Sequence, residues 1–333
     1  MTIFDLAPSI QRNILLGIAY GDAWGYPNEF HSYAELTKKT PHGPDVPKKL
    51  FVSDDTQMAL ALAQALTYLR EDTEPEVTQF LIIDEFIKWS EDKDNNRAPG
   101  HTCMSSCYNL KEGMSWERAH GVASKGCGAV MRVAPAAFLP EGLWQPVAMW
   151  QAAATHGHPA AIAASLILAA VVRRKATGGA FPEGVLAGAI ELTCNIAPRG
   201  VGSDWLIDHR LAGSSRAAAA MVSFGMTLVR DKLIEAAAKL TAFRSDPWHD
   251  DPSKDLPGWY SDDALACALL CVDMVDDPVE ALRRAATTEG DSDSIAAIAG
   301  AVLGADPAIT WPAEWYARLE PRYRTWIDTF GKE

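Results

Sequence analysis

Apolar residues recur at spacings of three and four along most of the chain, in segments 58–66, 80–87, 160–172 and 264–274. That is the period of an amphipathic or buried α-helix. Ala-rich runs such as 216–221 add high intrinsic helix propensity, and no sustained alternation of β-branched and polar residues competes with them. Ser9, Ser53 or Asp54, Thr73, Ser115, Ser261 and Asp291 are the expected helix starts, because a side-chain oxygen there accepts from the free N–H groups of the first turn. Gly and Pro punctuate the pattern at 41–47, 97–100, 178–179, 198–202 and 245–258. The last of these is long for a structureless connection, which makes it a binding or lid loop, or a surface insertion. No repeat of fixed period and no low-complexity linker divides the chain. The pattern predicts an all-α protein with a single compact multi-helix domain over residues 1–333.

Composition narrows the partners. The formal charge of −13 repels a polyanion, and no basic cluster interleaved with aromatics offsets it, so nucleic acid is excluded as an expected partner. A small anion remains compatible where cations or helix N-termini supply local positive potential. No stretch approaches the roughly 20 apolar residues of a membrane helix, and the first residues lack the pattern of a signal peptide, so a cytoplasmic location is expected. The six cysteines include two i,i+4 pairs, Cys103/Cys107 and Cys267/Cys271. Such pairs suit a four-thiolate zinc site, but among Ala, Leu, Met and Val they read as buried, inert thiols.

Two acidic motifs stand before Ala-rich helices: Ser53-Asp54-Asp55-Thr56, and Asp291-Ser292-Asp293-Ser294. One Asp per helix start suffices as an N-cap, and capping is one reading of both. The other is a binuclear site for a hard cation, since paired Asp and hydroxyl oxygens suit Mg²⁺ or Mn²⁺ better than zinc. In a regular helix Asp291 and Asp293 would project about 200° apart, so they converge only where the backbone is still turning, as Gly290 permits.

Three further segments carry chemistry-bearing residues. Gly17, Gly21 and Gly25 recur every four residues around Asp22, with Glu29 beyond Pro27 on a loop. That spacing allows close helix contact, with Asp22 a buried, hydrogen-bonded group. Gly126-Cys127-Gly128 precedes Met131-Arg132, and exposed N–H groups there would suit a phosphate or ribose oxygen, unless the segment is simply a tight turn. Thr155-His156-Gly157-His158 places two histidines at a helix boundary, as a metal pair or with one of them structural.

In this order the motifs resemble those of the ADP-ribosylglycohydrolase family: Asp22 with Glu29 seven residues on, Ser53 to Thr56, Gly126 to Pro135, Thr155-His156, and 289–294 followed by an Ala-rich helix. The resemblance implies an all-α fold with a central cleft holding two Mg²⁺ or Mn²⁺ ions. It makes Ser53, Asp54, Asp55, Asp291, Asp293 and Ser294 the metal ligands. It assigns Glu29 or Asp55 to handling the catalytic water. It places Gly126, Cys127, Gly128 and His156 along an ADP-ribose cleft, with Gly100-His101-Thr102 as a loop approaching the substrate. The implied activity is hydrolysis of ADP-ribose from modified protein side chains, most directly from arginine. Serine or acetyl-ester linkages, or a non-catalytic binding or immunity protein of the same fold, are the alternatives. Ser replaces Thr at 53, 292 and 294, which keeps an oxygen donor. Glu289, Cys127, His101 and Ala98 also depart from the family pattern, and they bear on the linkage more than on the metal chemistry.

Overall fold

A computed structural model describes residues 3–70, 72–119, 123–196 and 215–331, and the predicted break at 198–202 lies outside them. The first helices are α1 (Pro8–Gly25), α2 (Tyr33–Thr37), α3 (Asp54–Thr67), α4 (Pro75–Ser90) and α5 (His101–Lys111). They are followed by α6 (Trp116–Ala119), α7 (Trp144–Ala153), α8 (Pro159–Ala176), α9 (Val185–Asn195) and α10 (Ser215–Ser245). The chain closes with α11 (Ser261–Met274), α12 (Pro278–Ala285), α13 (Ser292–Gly304), α14 (Ala313–Arg318) and α15 (Pro321–Thr329). Among the described residues there is no sheet, only the isolated bridges Leu50–Leu319 and Gly126–Tyr260. None of the described helices is long and apolar enough to cross a membrane.

The all-α expectation therefore holds, and the physical reason is burial. Helices α3, α11 and α13 are buried on nearly every face, their polar residues gathered mainly at the N-terminal turns, and α8 lies in the interior alongside them. Buried apolar side chains from Leu6 to Ile327 form one continuous cluster. The i,i+4 cysteine pairs belong to it as buried free thiols, and among the described residues no cysteine joins a group able to hold a metal.

Several expected starts are displaced. Helix α1 begins at Pro8 with Ala7 as its cap, and α4 begins at Pro75 after Glu74, so neither Ser9 nor Thr73 caps a helix. Proline at the first position has no N–H to satisfy, which removes part of the need for a capping oxygen. Ser261 is already helical, with Tyr260 at the cap position. Ser53 and Asp291 are true caps, accepting from Asp55 N and Ser294 N respectively.

The contact that organises the site is between α1 and α13, which run antiparallel and touch backbone to backbone. A Cβ placed on Gly17 would lie 2.1 Å from Gly300 O, one on Gly21 2.0 Å from Ala296 O, and one on Gly25 2.3 Å from Ser292 O. Glycine at every fourth position of α1 is the condition for this approach. It sets the last turn of α1, with Asp22, against the first turn of α13, with Asp291 and Asp293.

The start of α3 is fixed from the other side. Glu320 accepts from Val52 N at 3.1 Å and pairs with Arg97, whose guanidinium also donates to Val52 O at 2.9 Å. The 245–258 loop is anchored rather than free. The buried Arg284 donates to Pro247 O and Asp250 O, both at 2.7 Å, and the Ser253 hydroxyl donates to Asp251.

Candidate active site

Asp22 is fully buried and holds the α3 N-terminus. Its carboxylate accepts from Ser53 N at 2.9 Å, from Thr56 N at 3.1 Å and from the Thr56 hydroxyl. Ser53 in turn donates its hydroxyl to Asp55 Oδ2 at 3.1 Å, and Gly100 N donates to Asp54 Oδ2 at 3.1 Å. The second Asp of the doublet is left with an open valence: Asp55 Oδ1 is buried and meets no donor.

On the facing helix Asp291 has φ −72° and ψ 75°, outside the helical region, so its side chain does not follow the helical screw that would turn it away from Asp293. Gly290 is required here by proximity, not by a positive φ, since a Cβ would lie 2.0 Å from Pro257 O. One ligand atom each from Glu29, Asp291 and Asp293 falls within 4.8 Å of the others, a grouping that could hold a cation.

These carboxylates open into one cavity of about 210 Å³. Every residue proposed from the sequence lines it except Ser53: Glu29, Asp54, Asp55, Gly100, His101, Thr102, Gly126, Cys127, Gly128, His156, Asp291, Asp293 and Ser294. Ser53 is fully buried behind Asp55, its hydroxyl spent on that carboxylate.

Burial, and then the charge of Asp293, pushes Glu29 and Asp54 each up to about 8. The same two causes raise Asp22 to about 7 and hold Asp55 and Asp291 well above the ordinary carboxylate range. Several buried acids around one cavity with no Lys or Arg among its described lining favour the protonated form, and a divalent ion reverses that preference. The open valence of Asp55 and the all-oxygen carboxylate set fit such an ion.

The Thr-His and Met-Arg motifs form one buried relay. Arg132 donates to Gln151 O at 2.6 Å and to Thr155 Oγ1 at 2.7 Å, and Thr155 Oγ1 lies 2.7 Å from His156 Nδ1. Thr155 thus engages Nδ1 and leaves Nε2 as the ring's other polar atom. That nitrogen faces the glycine segment, 3.3 Å from where a Cβ on Gly126 or Gly128 would sit. His158 is structural, its Nδ1 accepting from Ala160 N at the start of α8.

A family model for ADP-ribosylglycohydrolase matches residues 10–333. The chain belongs to the ADP-ribosylglycohydrolase family. It is 25% identical to the ADP-ribosyl-[dinitrogen reductase] glycohydrolase of Rhodospirillum rubrum, over 94% of this chain and 92% of that one. It is 26% identical to the ADP-ribosylarginine hydrolase Tri1 of Pseudomonas putida, over 92% of this chain and 73% of the relative. A solved ADP-ribosylglycohydrolase-related protein complex shares the fold, with a TM-score of 0.63 and 20% identity over 98% of both chains.

Within this glycohydrolase fold two expectations change. The N–H groups of the glycine segment are partly used internally: Gly126 N donates to Ser124 Oγ and Cys127 N to Trp259 O. A ligand there meets the space left by the glycines and the neighbouring side chains more than free amides. Glu289 turns away from the cavity, accepting from Tyr33 N at 3.2 Å.

Ala98, flagged in the sequence as a departure bearing on the linkage, also lines the cavity, as do Cys103, Met131 and Trp259, which the sequence did not assign to it. Ala98 has a positive φ of 53°, and Trp259 stacks on the exposed Phe30 ring at 5.7 Å. Only Gly258, at φ 85° just before Trp259, carried a local signal of a special turn.

Proposed function

We propose that the protein hydrolyses the N-glycosidic bond between ADP-ribose and an arginine side chain of a modified protein, releasing free ADP-ribose in the cytoplasm. The observation that carries this reading is the convergence of Asp54, Asp55, Asp291 and Asp293 with Glu29 on one cavity that His156 also lines. The arginine linkage rests on the similarity to the ADP-ribosylarginine hydrolase of Pseudomonas putida.

Asp54, Asp55, Asp291, Asp293 and Ser294, with Ser53 behind them, would hold two Mg²⁺ or Mn²⁺ ions. When bound, such ions supply positive charge that orients sugar hydroxyls and makes water more acidic. The chain's own groups do the rest. Glu29, the least enclosed of the acids, takes the proton of the attacking water, with Asp55 Oδ1 as the alternative acceptor; general-base assistance of this kind is worth roughly 10²–10⁴-fold. The His156 imidazole, beside Gly126 and Gly128, positions the ribose or diphosphate laid against that segment. As the glycosidic bond lengthens, its electron pair leaves with the guanidine nitrogen, the surrounding carboxylates stabilise an oxocarbenium-like sugar, and the proton taken from water by Glu29 passes through solvent to the departing guanidine.

The test is release of ADP-ribose from arginine-linked, serine-linked and O-acetyl substrates, with Mg²⁺, Mn²⁺ or chelator. Release from the arginine-linked protein, dependent on cation and lost in Asp291→Asn and Asp55→Ala, is expected. Release confined to serine-linked or acetyl substrates overturns the linkage, and release that survives both substitutions overturns the site.

A further inference from the structure

We propose that a groove beside the cleft is the docking site for the polypeptide that carries the modification, and that Glu289 and Trp259 there take a lysine or arginine side chain close in sequence to the modified residue. This rests on the reading above that the cleft releases ADP-ribose from a protein side chain. The groove encloses about 550 Å³ and is walled by Tyr33, Asp250, Asp251, Pro257, Trp259 and Glu289. It adjoins the cleft directly. Trp259 lines both cavities, and the chain passes from the groove at Glu289 and Gly290 to the cleft at Asp291.

A modified side chain seated in the cleft leaves its main chain and its sequence neighbours outside, against the surface that borders the cavity. Two aromatic rings stand at this border: Phe30 is 74% exposed and stacks on Trp259, which is 40% exposed. Exposed apolar surface gathered beside a cavity, unlike single scattered residues, marks a contact surface for another molecule.

Charge selects the occupant. Asp250 pairs with Lys254 at 3.1 Å, and the buried Asp251 accepts from Ser253 N, the Ser253 hydroxyl and Glu289 N. Glu289 is exposed and accepts from Tyr33 N at 3.2 Å, and among the described residues no Lys, Arg or His pairs with it. Its charge is therefore available to a partner. A carboxylate and an indole lining one groove suit a guanidinium or ammonium group, which is attracted by both, whereas an acidic segment is repelled. Glu289 is also one of the positions that depart from the family pattern, so this selectivity belongs to the chain and not to the fold.

The experiment uses the full chain and two synthetic peptides carrying ADP-ribosyl-arginine, one flanked by lysines and one by glutamates. Peptide binding is read by fluorescence anisotropy in chelator, and release of ADP-ribose is read with Mg²⁺ or Mn²⁺. A preference for the lysine-flanked peptide of about fivefold is expected in both readouts, the scale of an exposed ion pair joined by a cation–π contact. Glu289→Gln should bring it below about twofold and Glu289→Lys should invert it. Release from free ADP-ribosyl-arginine, which has no flanking residues, stays unchanged in both variants and shows that they are folded. Glu183→Gln, the same charge change on an exposed residue outside the groove, leaves the preference intact. No difference between the peptides in the parent, a preference that survives both Glu289 substitutions, or an equal loss in Glu183→Gln overturns the docking site. A Glu289-dependent binding preference without release from any arginine-linked substrate overturns the proposed linkage and leaves the docking site standing.

Discussion

Asp22 shows how a buried charge can be structural within a reactive site. It lies at the back of the carboxylate cluster, outside the cavity wall, and accepts from Ser53 N, Thr56 N and the Thr56 hydroxyl. Replacing it with Ala orphans these donors, each costing about 1–3 kcal/mol when buried. It also frees the Ser53–Asp55 turn. Asp22→Ala is therefore expected to lower the thermal unfolding temperature and also to weaken Mn²⁺ binding. Calorimetry and a Mn²⁺ titration check this, and an unchanged Mn²⁺ affinity would remove Asp22 from the positioning of the site. Residues of this kind were legible in the sequence because acids and hydroxyls at helix starts are chemically distinctive. Met131, Cys103 and Trp259 were not, because an apolar side chain announces burial and not which cavity it faces. The displaced starts at Ser9, Thr73 and Ser261 share a cause: a polar residue near a helix start is compatible with several cap positions, and a proline or the tertiary contact chooses among them.

At the level of elements the decisive feature is the α1–α13 contact. Periodicity identified both helices, and the glycine spacing identified the face that permits close approach, but nothing local to α1 names the partner helix. That choice is tertiary, made by matching Gly300 and Ala296 against Gly17 and Gly21. A methyl group on Gly21 would meet Ala296 O at 2.0 Å, a backbone atom that cannot rotate away. Gly21→Ala is thus expected to destabilise by about 1–3 kcal/mol, the range of overpacked cores. It should also move the first turn of α13 relative to α3. Mn²⁺ affinity is then expected to fall in a variant that still folds, although the substituted residue is not a ligand. Denaturant unfolding gives the first quantity and the Mn²⁺ titration the second. Loss of stability with full cation affinity would mean that α13 shifts along its axis without carrying Asp291 and Asp293 out of register.

Across the whole molecule, the cleft concentrates acids in a chain whose formal charge is already −13, and the two effects can be separated. Burial raises Glu29 from 4.5 to about 8 and Asp54 from 3.8 to about 8, while Asp22 rises to about 7. Each folded-state value lies above the unfolded one, so the folded metal-free protein binds more protons. By linkage, the stability these groups contribute is fully present below the unfolded values and is lost as pH rises through the folded ones. In chelator the unfolding temperature is therefore expected to fall between about pH 4 and pH 8. General repulsion among surface carboxylates acts in the same direction but is screened by salt, whereas buried groups are screened much less. The fall should persist at high ionic strength and become shallower in Asp54→Asn. With saturating Mg²⁺ or Mn²⁺ the slope should flatten or reverse, because the cation binds the deprotonated carboxylates and stabilises the folded state by mass action. Thermal unfolding across pH, with chelator and with cation, makes the comparison. A metal-free slope that vanishes in salt would assign the pH dependence to the surface charge and not to the cleft.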